Sequence, residues 1–249
     1  MKVRSYIAIG VASFLMFVVA LFPANLVWSS VASSVASGVP GKVQTVGGTI
    51  WDGFVVVDLR MGDVKGLHLA KWQVHPLNLL LGEVSIDLMV ESEGLIASGG
   101  AYIGLLGKGI QDLTGQVSAS MAEPILKQFD ASAEGGLNFD GLTVAMSGDE
   151  ISDASGEIRW DGGKVSYRSG RSTQTVDFPA VVGTLTENEG SLNLALIEMK
   201  GKKALGEAML RPDGIGGVKV LQRAMTLAGF SSSPGDDDKV LLNIQRPLF

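Results

Sequence analysis

Hydrophobic and polar positions follow two different patterns along the chain, and the first is an apolar run near the N-terminus. The run is almost unbroken from Tyr6 to Phe22, and no charged side chain lies between Arg4 and Lys42. Counted to Trp28, it would form a helix of roughly 33 Å at about 1.5 Å per residue, enough to cross a hydrocarbon layer of about 30 Å. The pattern predicts a transmembrane helix.

The residues that flank this run predict its orientation. Lys2 and Arg4 precede it with no acidic residue, so the positive-inside rule places the N-terminus in the cytoplasm and the rest of the chain across the membrane. Tyr6 and Trp28 would then lie at the two membrane interfaces. The prediction is a single-pass anchor with an exported body.

A cleaved signal peptide is the alternative to an anchor. Ser30-Val31-Ala32 and Ser34-Val35-Ala36 resemble small-x-small cleavage sites. The anchor is favoured because the apolar run exceeds the roughly 7 to 15 residues of a signal-peptide core and both candidate sites lie well beyond its end. In either case the body of the protein is exported.

The second pattern is an alternation of apolar and polar residues with a period of two. It begins after residues 29–41, an uncharged stretch rich in Ser, Ala, Val and Gly that predicts a short stalk between an anchor, residues 1–28, and an exported domain, residues 42–249. The alternation predicts strands at Ala70 to Val74, Val84 to Val90, Ile158 to Trp160, Val165 to Tyr167, Leu192 to Leu196 and Leu242 to Ile244.

Turn and helix signals complete the predicted fold. Asp161-Gly162-Gly163 predicts a tight hairpin, and Gly141, where the apolar phase shifts, predicts a bulge. Two short capping helices are expected, one opened by Glu123-Pro124 and one from Val218 to Ala228 that Gly229 ends. The fold class is mainly β: an N-terminal transmembrane helix, then a curved, mostly antiparallel β-sheet domain with one or two short capping helices.

Charge and cysteine content exclude several classes of function. The 249 residues include 20 basic and 26 acidic side chains, and without Lys2 and Arg4 the exported part keeps 18 basic ones, a net charge of −8. This charge disfavours binding to nucleic acid. The chain has no cysteine, so disulfides, thiolate metal sites and thiol nucleophiles are excluded.

The sequence offers no constellation for catalysis, a cofactor or a metal. His68 and His75 are its only histidines, and no triad spacing or nucleophile elbow accompanies them. Gly107-Lys108-Gly109 lacks the Ser or Thr of a phosphate loop. Asp236 to Asp238 are consecutive, unlike the spaced ligands of a calcium loop, and are interpreted as a solvated loop. We therefore predict that the protein is not an enzyme.

Glycine and tryptophan motifs give the chain a family resemblance. Gly47 to Gly53, read as GGTIWDG, leads into one strand; Lys71 to Glu83, read as KWQVHPLNLLLGE, leads into another; Ser155 to Gly163 carries the related SGEIRWDGG. Placed after a single N-terminal anchor, this combination resembles protein N of the bacterial type II secretion system over essentially the whole chain. The matching positions are Gly48, Trp51, Gly53, Trp72, Pro76, Gly82, Gly156 and Trp160.

The resemblance implies an inner-membrane protein of a Gram-negative bacterium with a periplasmic domain. Such a protein would be an accessory part of the apparatus that exports folded proteins from the periplasm, and its partners would be other inner-membrane subunits and the lipid bilayer. No catalytic residues come with the family, and a structural role is expected for the eight matching positions.

Two hypotheses for the function stay open. In the first, the β domain contacts other secretion subunits, with an exposed edge strand from Val240 to Gln245 as one candidate surface. The alternative is a membrane-anchored periplasmic protein that binds or transfers lipid on an apolar sheet face. The two differ in whether inward side chains, such as Val84 and Leu194, are closed off by helices or line an open groove. The apolar connection Pro76 to Gly82 is expected to cap the core, with a contact to a partner as the alternative.

Overall fold

The computed structural model of the chain divides into two compact units, Met1–Glu93 and Gly94–Phe249. The boundary falls inside the predicted exported part, residues 42–249, whose length suits one domain or two small ones. The described residues are 2–28, 41–61, 64–127, 130–170, 172–230 and 237–247. Nearly all of the predicted stalk lies outside these ranges.

The first unit starts with helix α1, Lys2–Ala20. The helix ends before the apolar run does, because Pro23 has no amide hydrogen for a helical bond and disfavours helical geometry in the residue before it. One further helical turn follows over residues 24–28, so the expectation of one continuous helix from Tyr6 to Trp28 is wrong. Among the described residues, no helix combines the length and apolar character needed to cross a bilayer.

The rest of the first unit is an antiparallel sheet in which each strand pairs with the next along the chain. Its strands are β1 Gly41–Gly48, β2 Asp52–Met61, β3 Val64–Val74 and β4 Glu83–Ser92, with a 3-10 helix, Asn78–Leu81, before β4. Both alternating runs in this region are strands, as predicted. The expected dry face of β4 is only partly covered, because Val84 and Leu88 remain exposed.

The second unit contains most of the strands. They are β5 Leu95–Gly104, β6 Lys108–Val117, β7 Ala131–Ala133, β8 Leu137–Ser147, β9 Glu150–Trp160, β10 Gly163–Ser169, β11 Ser172–Phe178, β12 Val181–Asn188, β13 Ser191–Glu198, β14 Ala204–Leu210, β15 Ile215–Leu221 and β16 Val240–Pro247. Nine of them form an antiparallel sheet in the order β5-β6-β8-β9-β12-β13-β14-β15-β16, and β11-β10-β7 form a small sheet. The main sheet carries the core, in which Leu142, Ile151, Ala154 and Leu185 are buried.

A bulge interrupts the pairing of β8 with β9, as Gly141 predicts. The register shifts between Asp140 and Thr143, and Gly141 has φ +58°. Gly156 on β9 faces this bulge at φ +117°, and a Cβ atom there would lie 2.6 Å from the Gly141 carbonyl oxygen. Glycine at both positions lets the two backbones approach while the strand bends.

The expected hairpin at Asp161-Gly162-Gly163 is wrong. β9 pairs with β8 and β12 in the main sheet, whereas β10 pairs with β7 and β11 in the small sheet. Gly162 instead lies against the backbone of Phe178 to Ala180, and a Cβ atom added to Gly162 would lie about 2.7 Å from those backbone atoms. These glycines therefore allow the chain to pass from one sheet to the other at close range.

Two short helices belong to the second unit. Helix α2, Ala119–Lys127, starts four residues before the predicted opening, so Pro124 is its sixth residue. Helix α3 covers only Gln222–Leu227, because Val218 to Val220 pair with strands on both sides and Leu221 pairs with β16, all as part of β15. Gly229 follows α3 at φ +81°. The fold class of a mainly β, antiparallel protein with few short helices is confirmed.

Candidate functional site

The first glycine and tryptophan motif forms a closed turn between β1 and β2. Gly48 has φ +82°, a conformation that glycine adopts without steric cost. The amide of Thr49 donates to the Asp52 carbonyl at 2.8 Å, and the amide of Asp52 donates to the Thr49 hydroxyl oxygen at 3.1 Å. These bonds fix the backbone on both sides of Trp51.

Trp51 joins this turn to helix α1. Its indole N–H donates to the Val19 carbonyl at 2.8 Å, and the amide of Ile50 donates to the Phe22 carbonyl at 3.1 Å. Carbonyls in the last turn of a helix lack the usual partners within it, so the indole satisfies one of them. The Trp51 carbonyl also accepts from the amide of Val74 at the end of β3, at 2.6 Å. The end of α1 is thus bonded to the sheet.

Trp72 and Gly53, which belong to two of the matching motifs, form a close contact across the sheet. They lie opposite each other on β3 and β2, and a side chain at Gly53 would overlap the Trp72 ring. The Trp72 indole N–H donates to the Ile50 carbonyl at 3.2 Å. Leu88 lies opposite Trp72 on β4, so this face of the sheet combines a flat indole with a glycine beneath it and an aliphatic neighbour.

The connection from Pro76 to Gly82 does not cap the core as expected. Leu77, Leu80 and Leu81 are among the most exposed large hydrophobic residues of the chain. Gly82 ends the 3-10 helix at φ +76°, where its amide donates to the Leu79 carbonyl at 3.1 Å. The composition of this stretch is apolar, but only the folded turn decides that its leucines point outward.

The later motif links the two sheets of the second unit. The Trp160 indole N–H donates to the Glu134 carbonyl at 2.9 Å, and its ring centre lies 5.7 Å from that of Phe178. Trp160 closes β9 of the main sheet and Phe178 closes β11 of the small sheet. Trp160 therefore has a packing role. It adds to the close backbone contact of Gly156, which belongs to the same motif.

Strand β16 presents an apolar edge. It pairs with β15 and ends the strand order of the sheet, and no other described residue pairs with its outer side. Val240, Leu241, Leu242 and Ile244 are 42% to 47% exposed. Leu242 and Ile244 lie opposite Val220 and Val218 on β15 and give one face of the strand an apolar surface, while Asn243 and Gln245 alternate with them. An exposed hydrophobic edge is a template for pairing with another strand.

The two histidines lie apart from each other: His68 is within β3, and His75 directly follows that strand. His68 is buried opposite Val57. His75 is exposed, and its Nε2 lies 2.8 Å from the Asp87 carboxylate. The described residues hold no group of three His, Asp or Glu side chains placed to bind a metal ion.

The acidic loop after Pro234 meets an arginine that the sequence analysis did not single out. The Arg223 side chain is 14% exposed, and its guanidinium lies 3.7 Å from Asp237 and 2.9 Å from Asp238. It also donates to the Ala204 carbonyl at 3.0 Å. Asp236 lies outside the described residues. The two described aspartates thus pair with Arg223 of α3. In the sequence, only the opposite charges of arginine and aspartate indicate this contact.

The inward-facing leucines of β13 are half-buried. Leu192 and Leu194 pack against the buried core of the second unit. Leu196 lines a cavity of about 290 Å³ together with Leu205 and Ala224 of α3. Leu194 also lines a larger cavity of about 400 Å³, together with Met209 and Val218; ligand pockets span about 300 to 1,000 Å³.

Comparison with known proteins settles the family. The chain matches type II secretion system (T2SS) protein N over residues 41–236, well over half of its 249 residues. The chain belongs to this family. Neither the curated proteins nor the solved structures give a match.

Membership in the T2SS protein N family confirms the resemblance drawn from the glycine and tryptophan motifs. It supports an accessory role in type II secretion, association with the cell envelope and interaction with other components of the apparatus. It does not support the lipid-transfer alternative. The motif residues described above all lie within the matched stretch, from the β1–β2 turn to Trp160.

Proposed function

We propose that this protein is an inner-membrane accessory component of the type II secretion system that contacts neighbouring subunits through its periplasmic β domain. The proposed contact rests on two observations: β16 pairs with a described strand on one side only, and it carries exposed apolar side chains. Membership in the T2SS protein N family supports a role in the secretion apparatus, and the sequence before residue 41 supports a membrane anchor. The protein would act by recruitment and positioning rather than by chemistry.

The anchor is supported by the charge pattern and by the surface of α1. Lys2 and Arg4 are the only charges before Lys42, and the large apolar side chains of α1, such as Phe14 and Met16, are exposed. Anchoring would confine the β domain to a thin layer beside the membrane and raise its effective concentration for other anchored subunits. Tyr6 and Trp28 would lie near the two interfaces.

Mass spectrometry and a topology reporter test the anchor. The intact mass of the protein from native membranes should include the N-terminal residues, whereas cleavage after Ala32 or Ala36 would remove them. A C-terminal alkaline phosphatase fusion should be active, since that enzyme folds only after export. A shortened mature chain or an inactive fusion would contradict the anchored, exported topology.

The contact through β16 follows from the unmet hydrogen-bonding capacity of a sheet edge. A strand from another subunit could pair along the outer side of Val240–Pro247, with backbone bonds supplying affinity and alternate side chains supplying specificity. Leu241 and Ile244 illustrate why a partner is needed, because both are exposed hydrophobic side chains on a strand that ends the sheet. One added strand would cover part of each.

Substitutions at Ile244 test this contact. Ile244→Pro removes one backbone amide from the edge strand, and Ile244→Lys leaves the backbone intact while placing a charge on the strand. The matched control is Ile110→Lys, an exposed isoleucine on β6, which has strands on both sides. Tagged full-length variants would be purified from native membranes in mild detergent, and co-purified subunits identified by mass spectrometry.

The expected result is loss of co-purified secretion subunits, and of secretion, for both Ile244 variants and retention for Ile110→Lys. If Ile244→Lys folds and retains every subunit, β16 is not the contact. If unmodified protein co-purifies with no secretion subunit at all, the recruitment function itself is wrong.

A further inference from the structure

The three leucines of the Pro76–Gly82 connection, here called the leucine turn, form an ordered apolar projection. Leu77, Leu80 and Leu81 are 74%, 84% and 80% exposed. Their backbone is internally bonded, since the amide of Leu80 donates to the Leu77 carbonyl and that of Gly82 to the Leu79 carbonyl, each at 3.1 Å. The turn thus presents hydrocarbon outward while these two amides are satisfied, which reduces the cost of bringing its backbone next to lipid.

Side-chain bonds hold the leucine turn against β4. The Asn78 amide group donates to the Ser85 hydroxyl at 2.6 Å and to the Glu83 carboxylate at 3.3 Å. The backbone amide of His75 donates to the Ser85 carbonyl at 3.0 Å. The polar side of the turn faces the sheet, so the leucines are left on the outer side.

The leucine turn lies at the end of the sheet where α1 is bonded. The Trp51 indole binds the Val19 carbonyl of α1, and the Trp51 carbonyl binds the amide of Val74. Leu77 follows Val74 by three residues, so at most about 11 Å of extended chain separates them. One residue, Trp51, therefore connects the last turn of α1 to the strand that leads into the leucine turn.

We infer that the leucine turn inserts into the periplasmic leaflet of the inner membrane beside the end of α1. This inference rests on the anchor proposed above. Lipid is the occupant that fits, because α1 brings its own exposed apolar surface to the same end of the sheet, and aromatic Trp51 stands between the two, as expected at a membrane interface. Apolar side chains of interfacial segments enter about 5 to 10 Å into this boundary.

Two points of membrane attachment would restrict how the first unit tilts. A helix alone leaves the attached sheet able to rotate about its connection, whereas a second apolar contact fixes the direction of β3 and β4 relative to the membrane. The leucine turn thereby gains a function in orienting the sheet.

The absence of cysteine makes a direct test possible with the full-length chain. Leu80→Cys would be labelled with nitrobenzoxadiazole, and the protein reconstituted into vesicles of phosphatidylethanolamine and phosphatidylglycerol that contain nitroxide-bearing lipids. Leu67→Cys is the matched control, an exposed leucine seven residues before Val74 on β3, about 24 Å along the strand. Ser13→Cys on α1 reports the anchor independently.

The Leu80 label is expected to emit at shorter wavelength than the Leu67 label and to be quenched by nitroxides close to the lipid headgroups. If the Ser13 label is quenched by lipid while the Leu80 label behaves like the Leu67 label, the leucine turn is outside the membrane and the inference is wrong, although the anchor stands. If the Ser13 label is not quenched, the anchor fails and the inference falls with it. Circular dichroism checks that each labelled chain is folded.

Discussion

Gly156→Ala is the sharpest test of the structural role assigned to the glycine motifs. Gly156 has φ +117°, a region that residues with a Cβ atom rarely adopt. An added Cβ would lie 2.6 Å from the Gly141 carbonyl oxygen and 2.7 Å from the Leu142 Cα atom. Both contacts are with backbone, so no side chain can rotate to relieve them.

The expected cost follows from two terms. A residue held in a sparsely populated backbone region costs about 1 to 3 kcal/mol, and forcing extra volume into a packed site costs about 1 to 3 kcal/mol. Gly156→Ala should therefore lower the free energy of unfolding by about 2 to 6 kcal/mol. With a urea dependence of about 3 kcal/mol per molar, the unfolding midpoint falls by about 0.7 to 2 M.

Urea unfolding of the full-length protein in mild detergent, followed by circular dichroism, measures this shift. The control is Gly148→Ala in the turn between β8 and β9, where φ is +60° and a Cβ would meet nothing within 4 Å. That substitution should cost only about 1 to 2 kcal/mol, the penalty for left-handed geometry. Equal midpoints for the two variants would refute the argument from backbone contact.

Three other substitutions probe separate contacts. Leu142→Ala, at a position only 7% exposed, should cost about 2 to 5 kcal/mol in urea unfolding, whereas Leu106→Ala, at 93% exposed, should stay within about 0.5 kcal/mol. Arg223→Met removes the guanidinium that donates to the Ala204 carbonyl and pairs with Asp237 and Asp238, and should cost about 1 to 3 kcal/mol; an unchanged midpoint would contradict the contacts. Trp51→Phe removes the donor to Val19 and should cost about 1 kcal/mol, seen as faster proteolysis between α1 and β1; equal cleavage rates would argue against this bond.

The positions of the strands were predictable because their signal is local. A period of two in apolar residues reflects the pleat of the backbone, and every alternating run from Ala70 to Ile244 lies in a strand. Gly141 was predictable for the same reason, since an inserted residue shifts the phase of the pattern. Such features depend on only a few consecutive residues.

Pairing between distant segments explains the errors. Val218 and Leu221 have helical spacing, yet β14 and β16 bond to both sides of this segment and hold it in β15. Asp161 to Gly163 carry hairpin residues, yet β9 pairs with β12. β16 and β12 each begin well after the segment they pair with, and β14 adds a neighbouring hairpin; together these pairings outweigh a weak local preference.

The candidate sites were predictable in composition but not in arrangement. Trp51 stood out in its motif, but its bond to Val19 joins residues 32 positions apart, which no local pattern indicates. The leucines after Pro76 were expected to cover the core. The side chain of Asn78 turns them outward instead, and hydrophobicity alone gives no direction to a turn.

The leucine turn and strand β16 require different kinds of cover, which makes the two proposals separable. Lipid can surround the leucine turn because Leu80 and Gly82 already have backbone partners. Lipid cannot satisfy the outer amides and carbonyls of β16, since hydrocarbon offers no hydrogen bonds and an unpaired buried polar group costs about 2 to 7 kcal/mol. A polar partner, water or another strand, must meet that edge, and only a strand also shields Leu241 and Ile244. Membrane contact is therefore the physical expectation at the leucine turn, and protein contact at β16.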